Sequence, residues 1–351
     1  TIAICAVICG AESWDDIELF GEAKAEWFAT FLDLPHGIPS HDTFNRVFAA
    51  LDPVQFRACF LHWMEAMTEV LPAQVIAIDG KTVRRSHDRG SGKAAIHLVS
   101  AWASANRVVL AQAKVAEKSN EIIVLPELLR CLALAGCVVT IDAMGCQREI
   151  AQQILDQGGD YVLALKDNQE TLHQDVQMSV ALGQRDDFAG VRHDRAQTIE
   201  KGTPAGGYPR IETRRALVID DPATLAWIQD RHAWPGLQAI GMVQAQRRIG
   251  TERTIEDRYY LLARPLSARA FGEAVRSHWG IENQVHWVLD VTFHEDQSRI
   301  RAGYAAENFA VLRHIALNLL RQQTIKRKSI KGRRLKAAWD TDFLLQVLTS
   351  G

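Results

Sequence analysis

Apolar positions in the first 70 residues recur at intervals of three and four, the period of a helix buried along one face. The clearest case follows Asp52-Pro53, where Asp52 can cap and Pro53 suits a first turn. There Val54, Phe56, Cys59, Phe60, Trp63, Met64, Met67 and Val70 predict one buried face. Upstream, Gly37-Ile-Pro-Ser40 is a turn, and Ser40 can cap a short helix carrying Phe44, Val47 and Phe48. This region reads first as a helical assembly domain and second as a DNA-end-binding domain, since it shows no basic recognition helix. From about residue 74 the pattern becomes continuous apolar runs: Val75–Ile78, His97–Ser104, Arg107–Ala116, Val138–Ile141 and Tyr161–Leu165. Helical stretches at about 120–134 and 147–157 separate the later ones. Such runs predict strands covered on both faces, in an α/β domain whose sheet is mixed because three strands precede the first helix.

Residues 184–265 break the rhythm with short β-like runs at Arg214–Ile219, Leu237–Ala245 and Thr254–Leu262, read as a β-rich insertion. A long helix is predicted from near Ser267 to about Leu289, and another over Ala305–Leu320. The expected organisation is a helical domain at 1–72 and an α/β core at 73–183 and 266–325. The β insertion occupies 184–265, and a basic tail follows at 326–351.

The chain has 351 residues, enough for two or three domains, and its composition (47% hydrophobic, 23% charged) is that of a globular protein. The formal net charge of −2 argues against a protein that coats nucleic acid. That value averages over a stretch, Arg321 to Lys336, with eight basic residues and no acidic one. Lys326, Arg327, Lys328, Lys331, Arg333 and Arg334 lie in it and are expected to meet phosphates. No apolar run is long enough to span a bilayer, and the apolar start lacks the basic flank of a signal peptide. The absent initiator Met suggests that a short N-terminal piece is missing. Six cysteines without a Cys-x-x-Cys pair read as reduced thiols in a cytoplasmic protein.

Asp79 and Asp142 each end a four-residue apolar run, where open α/β sheets bind ligands. One such Asp is usually a turn former or cap. Two in one sheet point to a cation between them. Glu282 shares the predicted helix stripe with Phe271, Val275 and Leu289, so it should point inward and need a partner: a core arginine, His278, His286 or a metal. The spacing around Glu282 is not the His-Glu-x-x-His of a zinc helix. Three carboxylates suit Mg²⁺ or Mn²⁺, two ions of which would serve phosphodiester chemistry. Lys81, Arg84, Arg85 and Lys166 follow the strand ends as candidate phosphate contacts, though each alone reads as solvated surface. Trp279 and Trp287 read as core residues before base-stacking ones.

The runs Ile-Ala-Ile-Asp79-Gly-Lys, Thr-Ile-Asp142-Ala-Met-Gly, Leu-Ala-Leu-Lys166-Asp-Asn-Gln and His278-Trp-Gly-Ile-Glu282-Asn-Gln-Val-His-Trp-Val-Leu-Asp290 resemble the DDE transposases of bacterial insertion sequences. The resemblance is to the group that includes the H-repeat-associated proteins of Rhs elements. Gly37-Ile-Pro-Ser-His-Asp-Thr-Phe-Asn-Arg-Val-Phe48 resembles that group's N-terminal associated domain. The resemblance implies an RNase H-like core with a β-rich insertion and the acidic triad Asp79, Asp142 and Glu282. It also implies double-stranded DNA as partner, at terminal repeats and target, and a homodimer joining two ends. The activity implied is cleavage at terminal repeats followed by strand transfer. The Tyr, Arg, Glu, Lys signature common in related transposases is replaced here, with Val275, His278 and Leu289 in the Tyr, Arg and Lys positions. His278, His286 and Asp290 are candidate substitutes, the two histidines for contacting phosphate or orienting Glu282. The other readings are an inactive or domesticated DNA-binding remnant and a nuclease without strand transfer.

Overall fold

The computed structural model describes residues 1–67, 74–83, 86, 95–115, 121–202, 210–323, 325 and 328–349. In chain order, five helices come first: α1 (Ile2–Cys9), α2 (Trp14–Ala23), α3 (Ala25–Phe28), α4 (His41–Ala50) and α5 (Pro53–Met67). Strands β1 (Val75–Thr82), β2 (His97–Ala103) and β3 (Val108–Val115) precede α6 (Glu121–Arg130), β4 (Val138–Ile141), α7 (Arg148–Asp156), β5 (Asp160–Leu165) and α8 (Glu170–Arg185). Then come β6 (His193–Gly202), β7 (Arg210–Ile219), α9 (Pro222–His232), β8 (Ala239–Ile249) and β9 (Glu252–Leu262). The chain ends in α10 (Ala268–Ile281), a π-helical turn (Glu282–His286), α11 (Trp287–Thr292), α12 (Ala305–Gln322), α13 (Ile330–Trp339) and α14 (Thr341–Thr349). This is a mixed α/β protein. Among the described residues no helix is long and apolar enough to cross a membrane, and all six cysteines are free thiols.

Two compact units form. Thr1–Val70, Asp79–Val124 and Ile281–Gly351 make the first, Leu71–Ile78 and Leu125–Gly280 the second. β1 runs from one into the other.

In the first unit α12 is the central element, buried on all sides from Asn308 to Leu320, and the Asn308, Arg313 and Asn318 side chains it buries are met by partners inside the fold. It packs against α1, α4, α5 and β3. Asn318 joins it to β3, accepting from the Val109 N–H and donating to the Val109 carbonyl at 2.9 Å each. Asn308 donates to the Phe48 and Leu51 carbonyls at the end of α4. The N-terminal caps are those the sequence suggested: Ser40 accepts from Thr43 N–H, and Asp52 from Val54 N–H. The stripe along α5 is narrower than expected. Phe60 and Met64 are buried, but Val54 and Cys59 face solvent because only part of the helix is covered by α12 and β3.

The second unit orders its strands β1-β4-β5-β9-β8-β7-β6. β4 runs parallel to β1 and to β5, and the later pairings are antiparallel. The β-rich segment thus continues the sheet through the β5–β9 pairing instead of forming a separate layer. It also contains β6 and α9, which periodicity did not reveal. β6 is exposed on both faces and so carries no apolar alternation. α9 did carry a local signal, Asp221-Pro222, and Asp221 accepts from Thr224 N–H at 3.0 Å. On one face of the sheet, Phe271 and Val275 of α10 pack against Ala216, Val243 and Tyr260. Gly241 makes this close approach possible, since a Cβ there would lie 2.6 Å from the Phe271 ring. Gly241→Val should therefore destabilise the protein by about 1–3 kcal/mol through overpacking, read as a lower urea midpoint. An unchanged midpoint would show that α10 yields freely.

Candidate metal centre and its supporting ion network

In the first unit Asp79, Glu282 and His286 converge, offering one ligand atom each within 4.8 Å of one another. Asp79 sits in β1 just past its buried apolar residues Ile76–Ile78. Glu282 and His286 begin and end the π turn. His286 Nδ1 lies 3.0 Å from Glu282 Oε2 and 3.5 Å from Asp79 Oδ2, with the ring buried. Carboxylate oxygens only accept, so the Nδ1–H donates to Glu282, with the Asp79 carboxylate close by. This hydrogen bond holds the Glu282 carboxyl below the usual range against the opposing effect of partial burial, and the Lys81 charge adds to the lowering.

The inward orientation expected of Glu282 is not found: its side chain is 57% exposed. In an unbroken α-helix Glu282 would share the face of Val275, about 20° away. The wider turn begins at Glu282 and inserts its extra backbone beyond that residue, where Val285, His286 and Leu289 are buried. Arg321 supplies a donor to the turn. Its guanidinium bonds the Gln284 carbonyl, reaches the Arg107 carbonyl at 3.3 Å, and lies over the Trp102 ring at 4.4 Å. Arg321 is thus engaged inside the fold.

Beside this cluster is a buried ion network that the sequence did not reveal. Lys81 bonds Asp290 and, at 2.7 Å, Glu295, whose side chain is 1% exposed. Arg313 approaches Glu295 at 3.7 Å. Burial alone would raise the Glu295 carboxyl, but the charges of Lys81 and Arg313 outweigh it and hold it at about 2. Burial raises Asp290 despite Lys81, and the Glu295 charge pushes Lys81 upward in spite of its burial. Lys81 is therefore an internal tie between β1 and the segment after α11, not the surface phosphate contact expected. Burial drives the neighbouring His314 down from 6.5 to about 4, so it stays neutral in the fold. The unfolded chain gains that proton first, so stability is full above pH 6.5 and is lost as pH falls toward 4. Between pH 7 and pH 4 the loss should be about 3 kcal/mol. A His314→Asn variant whose pH profile matched wild type over that range would contradict this.

Asp142 follows β4 in the second unit and caps the short turn Ala143–Gly145, accepting from Met144 and Gly145 N–H. In the parallel β1–β4 pairing Ile78 stands opposite Ile141, and each strand continues into its aspartate. Lys166 is exposed after β5, and His278 Nδ1 lies 3.1 Å from Thr140 Oγ1. Arg84, Arg85, Lys326 and Arg327 lie outside the described residues.

The expected basic tail is folded, with α13 and α14 in it, and two of its arginines are internal braces. Arg333 donates to the Leu320 carbonyl at 2.6 Å, and Arg334 to the carbonyls of Thr292 and Val7 while lying over Phe293. Arg334 is buried and cannot reach a phosphate. Helix-end carbonyls need donors, and a planar guanidinium supplies several. Lys328 and Lys331 remain exposed. Trp279 and Trp287, expected in the core, are 48% and 57% exposed, and Arg258 lies over the Trp279 ring.

The chain belongs to the DDE transposase family: the profile described as "Transposase DDE domain" matches residues 71–319 and the one described as "DDE_Tnp_1-associated" matches residues 1–64. It is 40% identical over 351 residues to the H repeat-associated putative transposase YhhI of Escherichia coli (strain K12), covering 99% of this chain and 90% of that protein. Putative transposase YncI of Escherichia coli O157:H7 is 40% identical over 352 residues, covering 99% of this chain and 88% of its own. A 46-residue stretch, 13% of this chain and 55% of the relative, is 52% identical to Inactive transposase YbfQ of strain K12.

Proposed function

We propose that this protein is a metal-dependent DNA transposase that cleaves at the terminal repeats of its element and joins the released 3′-hydroxyl to target DNA. The observation carrying this reading is the convergence of the Asp79 and Glu282 carboxylates on His286. Asp142 is proposed as the third acid, from its place after β4 and the β1–β4 register. The proposed core is RNase H-like. Its support is the strand order β3-β2-β1 in the first unit and β1-β4-β5 in the second.

Two facing carboxylates fit a hard divalent cation, Mg²⁺ or Mn²⁺, because the charge offsets their repulsion and the exposed side of Glu282 leaves room for water and phosphate oxygens. Such ions, bound as a pair, would polarise the phosphodiester and stabilise the leaving oxygen. The chain's own part is positioning. β1 fixes Asp79, His286 holds the Glu282 carboxyl ionised and oriented, and the Lys81–Asp290 pair ties the strand end to α11. Incubating the full chain with duplexes carrying the element's terminal repeats and Mg²⁺ should yield ends with free 3′-hydroxyls, and EDTA should stop it. Wild-type protein that bound these duplexes yet never cut them, with Mg²⁺ or Mn²⁺, would instead be an inactive DNA-binding remnant.

A further inference from the structure

The outer half of the antiparallel sheet in the second unit has two faces of different charge character. Strand alternation and register assign each side chain to a face. On the face toward α10, basic and acidic residues are matched. Arg210 and Arg214 pair with Glu212, Arg258 pairs with Glu256, and Arg276 reaches from α10 to Glu200. The opposite face holds Arg195, Lys201, Arg215, Arg248 and Arg253 against one strand acid, Asp257, all exposed. Of the arginines on this face, Arg195 is paired with a carboxylate, that of Asp187 at 2.8 Å; no carboxylate ion pair is seen for Arg215, Arg248 or Arg253 among the described residues. These three are held by neutral groups instead. Arg215 donates to Gln197 at 3.1 Å and Gln244 at 3.0 Å on either side, Arg253 to Gln246 at 2.9 Å, and Arg248 to the Gly250 carbonyl at 3.2 Å. Asp257 likewise accepts from Gln244.

The consequence is electrostatic. A guanidinium fixed by a carboxylate has its charge cancelled, whereas one fixed by an amide keeps it and loses less freedom on meeting an anion. We propose that this face of β6–β9 is a docking surface for the phosphate backbone of duplex DNA, a role that rests on the transposase reading and extends it beyond the acidic site. Four strands about 4.8 Å apart are too broad for a major groove of about 12 Å once side chains are added. The sheet therefore lies across the backbone and positions the duplex without reading its sequence.

The test is binding of the full chain to duplex DNA, followed by fluorescence anisotropy from about 50 to about 200 mM salt. The variant Arg215→Gln/Arg248→Gln/Arg253→Gln removes three exposed charges. It should lower the slope of log affinity against log salt by roughly 2–3, equally for terminal-repeat and random duplexes. Asp257→Asn removes the one strand acid and should tighten binding several-fold. Arg269→Gln, an exposed arginine of α10 paired with Glu273, should change neither. A triple variant with the wild-type slope, or a control that loses as much as the triple, overturns the surface and leaves the transposase reading standing. Wild type that binds no duplex at all overturns both.

Discussion

Replacing Glu282 by Gln should lower Mg²⁺-dependent cleavage on the order of a thousandfold, with little change in DNA binding. A carboxylate that holds a catalytic ion contributes several kcal/mol to the transition state, and each ~1.4 kcal/mol is tenfold in rate. The amide keeps the shape and loses the charge. Because Glu282 is more than half exposed, the protein should lose less than about 0.5 kcal/mol of stability, so the effect on cleavage cannot be attributed to unfolding. Asp79→Asn should act similarly. Asp142→Asn tests the third proposed acid by the same assay. Cleavage within about threefold of wild type in the Glu282 variant, at saturating Mg²⁺, would remove Glu282 from the site, since lost charge stabilisation cannot be that small for a metal ligand.

Glu295→Ala should destabilise the protein by about 3–5 kcal/mol, because it leaves the buried charge of Arg313 uncompensated and takes one of two carboxylates from Lys81, Asp290 being the other. Replacing Glu295 with Leu and Arg313 with Met together should recover much of that loss, since apolar groups of similar size can fill a site that one lone charge cannot. Urea unfolding of wild type, single and double variants measures both. A single variant losing less than about 1 kcal/mol would mean that water or rearrangement already neutralises Lys81 and Arg313. The Lys81 tie makes a further distinction. A Glu295 variant that folds but cleaves poorly would place the network in positioning Asp79, whereas one that only melts earlier would leave it purely structural.

Runs such as Val75–Ile78 and Val138–Ile141 announced their strands because a buried strand must be apolar on both faces, and that requirement is written in consecutive residues. Caps such as Ser40 and Asp52 were legible for the same local reason. The two acids Asp79 and Glu282 could be singled out from where they stand in the pattern. Their convergence could not; His286 stood among the candidates to orient Glu282, but its position within reach of Asp79 as well came only with the fold.

What stayed hidden involved partners distant in sequence. The wider turn that begins at Glu282 receives a bond from Arg321, and whether a helix takes such a turn depends on what packs around it. Charge counting found the basic stretch but not that Arg333 and Arg334 spend their donors on carbonyls inside the fold. Lys81, placed by its neighbours among phosphate contacts, is claimed by Glu295 across 214 positions of chain. The sequence alone therefore determined the buried strands, the caps and which acids merit attention, since these follow from local periodicity and residue chemistry, while the exposed strand β6 left no such mark. The tertiary structure decided which charges are available to a ligand, because a charge is available only where no other part of the folded chain has neutralised or buried it.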